Sequence, residues 1–209
     1  MKIAIIAANG RLGQALVKEA LDEGHTVTAG THSRNPFATH PNLTVTTCDA
    51  TNASDVTALI AGHDVVFSCI GHVKGSPADV QTAATRTVID AMRATNMQRF
   101  ITVTGTGVRL PGDHVTFTDR FLNFGIGIID PARIKDGRNH VALLKDSALE
   151  WTAIRVLKLQ FENNRPYLLT PHGPTLLYVS RKETARAMLQ VARDNSFLKQ
   201  LPMLSSAKH

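Results

Sequence analysis

Cysteine is scarce: the 209 residues include only Cys48 and Cys69. Both stand at or near the ends of apolar, strand-like runs without metal-ligand spacing, so neither a disulfide framework nor a metal site is expected. No apolar stretch approaches the ~18 residues of a membrane-spanning helix. A strand pattern begins directly after Met1, leaving no signal or transit segment, and a cytoplasmic protein without membrane association is expected. The formal net charge is +6, yet the basic residues are scattered singly. With no Lys/Arg block and no basic–aromatic alternation, a nucleic-acid partner is not expected; dispersed charge suits a polyanionic small ligand or a solvated surface. Linkers, repeats and low-complexity segments are also missing. At 43% hydrophobic, residues 1–209 read as one domain, as a monomer or a homodimer.

What is present is a rhythm. Apolar runs of strand length, "KIAIIAA", "HTVTAGT", "LTVTTCD", "DVVFSCIG", "RFITVTG" and "EWTAIRV", alternate with helical patterns. Strands buried on both faces read as continuous hydrophobics, so the alternation predicts an α/β three-layer Rossmann fold: a doubly wound parallel sheet with helices on both faces. Helix starts are signalled by Gly10 before 11–23 and by "TNASDV" around residue 52. In "GSPADV", Ser76 is a candidate N-cap and Pro77 a first-turn proline, which makes 77–96 the longest expected helix. Residues 107–136 mix glycine, proline, aromatics and charge, and read as an irregular, substrate-side segment. The tail, 178–205, reads as an amphipathic helix followed by a short strand near 200–204.

The strand-to-helix junction "AANGRLG" carries the first chemistry. Gly10 lets backbone approach a pyrophosphate, and Gly13 lets the helix pack closely on the sheet. Ala8, Asn9, Gly10, Arg11, Leu12 and Gly13 therefore form the candidate phosphate loop at a helix N-terminus. The next strand leads into "TAGTHSRNP", and no acid occurs from Thr26 to His40. An NAD site places a carboxylate there for the ribose 2′-hydroxyl, whereas a 2′-phosphate needs cations and donors. His32, Ser33 and Arg34, with Arg11 as a second cation, favour NADP(H) over NAD(H). Further along the same groove, Asp49 and Ala50 close the third strand, where Asp49 can accept from an adenine amino group. Ile70 and Gly71 close the fourth, where glycine lets a ribose pass.

On these residues the chain resembles the atypical short-chain dehydrogenases/reductases, an NAD(P)H-binding family with flavin/biliverdin reductase-like and NmrA-like members. "AANGRLGQALVKEAL" resembles the family's GATGxxG loop, and "TVIDAMRATNMQRFITVTGTGV" its fourth helix and fifth strand. "LLKDSALEWTAIRV" resembles the SGLxWTIxRP segment and "YVSRKETARAML" the late ISRxDVA helix. Two departures stand out: Ala7 replaces the first loop glycine, and Val156, at the nicotinamide side, replaces the proline after Arg155. The family's Tyr-x-x-x-Lys pair, counted from Thr104, falls on Phe117 and Phe121 and is absent. The string "YVSRK" at Tyr178–Lys182 lies too far along the chain to replace it. A lysine found in some members at the sixth helix is likewise missing around Gly137, Arg138, Asn139 and His140.

The resemblance implies an NAD(P)H-dependent reductase that passes hydride to a flat, flavin-like or quinone-like acceptor, with water able to supply the proton. Its alternative is a non-catalytic redox sensor acting through a protein partner. Thr104 and Thr106, at the end of the fifth strand, are candidates to hydrogen-bond nicotinamide or acceptor. His114 and His140 are candidate proton donors, and Phe117, Phe121 and Phe124 candidates for the floor of a flat apolar pocket.

Overall fold

The computed structural model of the chain describes residues 1–160, 166–175 and 179–206. Its elements run β1 (Lys2–Ile6), α1 (Arg11–Asp22), β2 (Thr26–Thr31), β3 (Leu43–Thr47), α2 (Ala53–Ile60), β4 (Val65–Ser68), α3 (Val80–Ala94) and β5 (Arg99–Gly105). They continue with α4 (Phe117–Ile129), α5 (Pro131–Asp146), β6 (Glu150–Val156), β7 (Leu159–Gln160), β8 (Tyr167–Thr170), β9 (Val179–Ser180), α6 (Arg181–Arg193) and β10 (Met203–Ser206). Eight strands form one sheet in the order β3-β2-β1-β4-β5-β6-β10-β8, while β7 and β9 pair separately. The pairing is parallel except for β8, which runs antiparallel to β10. This is the doubly wound Rossmann sheet expected from the alternating runs.

Alternation along each strand sorts its side chains between two cores. Ile3 and Ile5 enter the core beneath α1 and α6, whereas Ala4 and Ile6 face the one beneath α2, α3 and α5. Because both faces are covered, the strand positions carry hydrophobic side chains on both sides. At about 25 cal/mol per Å2 of apolar surface removed from water, each fully buried Ile or Leu contributes roughly 1.5–3 kcal/mol.

Three features of the reading change. Residues 107–136 are largely helical: α4 and the first turn of α5 occupy them, capped by Thr116 Oγ1 on the Asp119 amide and by the Asp130 side chain on the Arg133 amide. As a result α5, of 16 residues, is longer than α3, of 15. The third change is at the start of α3, which begins at Val80 rather than at Pro77. Ser76 does not cap it, since its Oγ donates to the Val73 carbonyl. The cap instead comes from α5, where Asp136 Oδ2 accepts from the Gln81 amide at 2.9 Å and Oδ1 from the Thr82 amide at 2.9 Å. A carboxylate on the positive end of a helix dipole is worth more than a local serine, and tertiary contact supplies it.

His140 lies in the same α3–α5 interface, with Nδ1 2.7 Å from Thr85 Oγ1. It is buried away from the cleft described below and is not placed to give a proton there. Burial lowers its pKa from 6.5 to about 4, against an opposing effect of Asp136. The unfolded chain takes up this proton near pH 6.5 and the folded chain only near pH 4, so stability is full above 6.5 and falls as the pH drops between those values. A loss of about 3 kcal/mol is expected. Urea unfolding at pH 7 and pH 4.5 checks it: His140→Gln should remove most of the difference.

Candidate functional site

The strand order reverses direction between β1 and β4, and the carboxyl ends of these strands and their neighbours meet at one edge. In an open α/β sheet this switch point is where a crevice forms. The β1–α1 loop opens there. Ala7 takes a left-handed conformation, φ 58°, at the position where the family carries glycine. The turn is thus kept at a steric cost of about 1–2 kcal/mol rather than reshaped. Ala8 donates its amide to the Gly30 carbonyl at 2.9 Å, and Gln14 Nε2 holds the Asn9 carbonyl at 2.7 Å.

The two loop glycines have different reasons. A Cβ on Gly13 would lie 2.5 Å from the Ala7 oxygen and 2.6 Å from the Ala8 Cα, so only glycine lets α1 sit this close to β1. Gly10 has ordinary extended dihedrals, φ −68° and ψ 162°, and stands at the N-cap of α1, where it offers no side chain. Arg11, Leu12 and Gly13 form the first helical turn, whose amides lack intrahelical acceptors. Among the described residues no side chain caps this end, and no acid lies in its first turn. Leu12 itself turns its side chain into the core. Among the described residues, every other helix receives a side-chain oxygen at its start, from Asn52, Asp136, Thr116, Asp130 or Ser180.

Beyond this loop, His32, Ser33 and Arg34 lie exposed past the end of β2. Ser33 Oγ accepts from Asn9 Nδ2 at 3.4 Å, which ties the two loops together. Past β3, Asp49 Oδ1 accepts from the Thr51 amide at 2.9 Å and its hydroxyl at 2.7 Å. These hydrogen bonds, assisted by the nearby His32, hold the Asp49 carboxyl below its usual range. Ala50 follows, half-buried.

On the other side of the switch point lies a cleft of about 260 Å3. Ile70 and Gly71 after β4, Thr104 on β5, Thr106 beyond it and Val156 on β6 all line it. A Cβ on Gly71 would meet nothing within 4 Å, so this glycine borders open space. Gln81 Nε2 donates to the carbonyls of Ile70 at 3.0 Å and Val103 at 3.3 Å, bracing the floor. Thr104 is buried, and its Oγ1 finds no hydrogen-bond partner among the described residues. Gly137 packs α5 against it, since a Cβ there would stand 3.1 Å from that oxygen. Thr106 differs: its hydroxyl donates to Asp119 Oδ1 at 2.6 Å and accepts from Asn123 Nδ2 at 3.0 Å. Arg109 pairs with the other oxygen of this buried carboxylate. Thr106 is therefore engaged in holding α4 to the end of β5.

Two expectations lie elsewhere. His114 is exposed beside a separate groove with Thr116 and Arg120, outside the cleft. Phe117, Phe121 and Phe124 do not floor the cleft: they are 83, 65 and 68% exposed on the outer face of α4, while Asn123 and Ile126 are its inward residues. The heptad-like spacing of the three rings is that of one helix face, and that face points outward. Of "YVSRK", Tyr178 lies outside the described residues. The rest forms β9 and the first residues of α6, where Ser180 Oγ accepts from the Glu183 amide at 2.9 Å and Glu183 Oε2 from the Ser180 amide at 2.7 Å, a capping box.

The pair that sequence reading missed is His72 and Asp136, 64 residues apart. His72 lines the cleft and its Nε2 lies 2.8 Å from Asp136 Oδ2. The signal available was a histidine directly after the strand-closing glycine in "CIGH"; its partner, on a distant helix, left none. Among the described residues no cluster of His, Cys, Asp and Glu could hold a metal ion, and no helix is long and apolar enough to cross a membrane. Burial pushes the Cys48 thiol up to about 11, which keeps it protonated at neutral pH.

A cleft at the switch point beside a glycine-led helix start without a cap defines a class, the dinucleotide-binding Rossmann proteins. The chain belongs to the NAD(P)H-binding family, which matches residues 7–195. Solved structures share its fold. A Burkholderia pseudomallei protein, provisionally described as exported, is 25% identical with 98% of this chain and 99% of that one covered, at a TM-score of 0.80. A Veillonella parvula short-chain dehydrogenase/reductase in complex with NADP is 18% identical, covering 98% and 94%, at 0.82. A Streptococcus pneumoniae protein, provisionally described as an NADH-flavin reductase, is 21% identical, covering 99% and 100%, at 0.77.

Proposed function

We propose that this chain is an NADP(H)-dependent reductase of the atypical short-chain type, acting on a flat flavin-like or quinone-like acceptor. The observation that carries the reading is the open start of α1, where among the described residues no side chain caps the backbone amides and the helix's own first turn holds no acid. Ala8–Gly13 would hold the pyrophosphate there. His32, Ser33 and Arg34, with Arg11, would hold the 2′-phosphate, Asp49 and Ala50 the adenine, and Gly71 the ribose. When bound, the dinucleotide supplies a hydride; the residues of the cleft orient the partner ring. Thr104, whose buried hydroxyl has no hydrogen-bond partner among the described residues, is the candidate to take a carboxamide or an acceptor oxygen. A role for NADPH fits a cytoplasmic location, and the S. pneumoniae relative's description supports a flavin-like acceptor.

Cofactor choice is tested at Arg34. A charge-assisted hydrogen bond to the 2′-phosphate is worth roughly 1.5–3 kcal/mol, so Arg34→Ala should weaken NADPH about ten- to a hundredfold and leave NADH nearly unchanged. Fluorescence titration with both cofactors reads the result; equal loss for both, or tighter wild-type binding of NADH, overturns the preference. Steady-state NADPH oxidation with FMN and quinones then tests the reaction. The sensor alternative draws on the outward apolar face of α4. It takes first place if the wild-type protein binds NADPH tightly and turns over no acceptor.

A further inference from the structure

The cleft holds one ionisable side chain whose setting is arranged for proton transfer. Asp136 is buried, and its carboxylate already accepts from the Gln81 amide, the Thr82 amide and the Thr82 hydroxyl. His72 adds one more contact, Nε2 to Oδ2 at 2.8 Å. The start of α3 is thus capped without the histidine, so the cap does not explain the ring. What the contact does is fix the imidazole: a carboxylate accepts only from N–H, which puts a proton on Nε2 and leaves Nδ1 as the nitrogen that gains and loses one. The ring makes no other hydrogen bond among the described residues, and it lines the same cleft as Gly71 and Thr104.

We propose that His72 is the proton donor to the acceptor, with Asp136 as its positioning residue. This rests on the reductase reading above. In the step, the acceptor gains a hydride, the dihydronicotinamide that gives it becoming the oxidised ring. The proton leaves Nδ1 of the imidazolium for the acceptor oxygen or nitrogen that has become negative. The neutral ring keeps its Nε2–H on Asp136 and regains its Nδ1 proton from water. A quinone is so converted to a hydroquinone with two electrons and two hydrogens accounted for. Such a group also answers the missing Tyr-x-x-x-Lys pair: the proton comes from the loop after β4 rather than from the helix after β5.

The test has two readings. On the protein without cofactor, two-bond proton–nitrogen NMR spectra should show the neutral His72 ring as the Nε2–H tautomer, and Asp136→Asn should lose that preference. An Nδ1–H ring in the wild type overturns the proposal without any turnover measured. In kinetics with menadione, His72→Gln should lower kcat about 100-fold and abolish the decline of kcat toward high pH, while the NADPH dissociation constant stays within twofold. Asp136→Asn should lower kcat in the same direction, with circular dichroism confirming its fold. If the wild type reduces menadione and His72→Gln retains both its rate and its pH profile, His72 is not the donor and the reductase reading stands. If the wild type binds NADPH and reduces neither menadione nor FMN, both readings fall together.

Discussion

Gly10→Val is expected to give a folded protein that no longer binds NADPH. The dihedrals of Gly10 lie in the extended region that any residue adopts, and a Cβ there would be 3.2 Å from the Ala7 oxygen, a tight contact that needs a shift of a few tenths of an ångström. Valine suits these dihedrals. Its branched side chain would stand at the uncapped start of α1, where a pyrophosphate has to reach the first-turn amides. Affinity should fall at least about 100-fold, or about 2.7 kcal/mol. Titration of NADPH fluorescence, with circular dichroism as the control for folding, decides it; unchanged affinity removes the site from this loop. Gly13→Ala makes the contrast, because its Cβ would lie 2.5–2.7 Å from backbone atoms of Ala7 and Ala8. That variant should lose stability as well as binding.

Arg155→Met should be the most destabilising single change, by about 3–5 kcal/mol. Arg155 is fully buried and grips Asp113 with two bonds, Nη1 to Oδ2 at 2.5 Å and Nη2 to Oδ1 at 3.0 Å. It also donates to the carbonyls of Leu201, Val108 and Pro171. Burial would raise the Asp113 carboxyl, but the hydrogen bonds and charge of Arg155, with the Leu110 amide and His172, outweigh it and hold the carboxyl below its usual range. Removing the arginine strands that charge and loosens the segment leading from β5 to α4, which walls the cleft. Chemical denaturation of Arg155→Met and of Arg155→Met with Asp113→Leu separates the causes. The double variant should recover the part due to the stranded carboxylate and not the part due to the three carbonyls. A single variant as stable as the wild type would show that the pair contributes nothing net.

The sequence by itself determined the sheet and the start of the candidate site. Six apolar runs became β1 to β6; a strand covered on both faces, such as β1 or β4, must be apolar at successive positions, whereas edge strand β3 alternates Leu43 and Val45 with threonines, and both patterns are visible without any partner. Gly10, Gly13, the acid-free stretch after β2 and a helix start around residue 52 were legible for the same reason: each is signalled within a few residues of itself. Residues 107–136 misled because their glycines and charges suppress local helix propensity, while packing of α4 and α5 and the Thr106–Asp119–Asn123 network restore it. Only the tertiary structure decided what long-range contact controls. It moved the start of α3 to Val80 through Asp136, turned the phenylalanines of α4 outward, withdrew His140 into the α3–α5 interface and set His72 against a carboxylate from another helix. A capping serine or a turn glycine is marked by its neighbours in the chain, whereas a hydrogen bond between residues 64 apart is marked by neither of them until the sheet and helices bring both to one cleft.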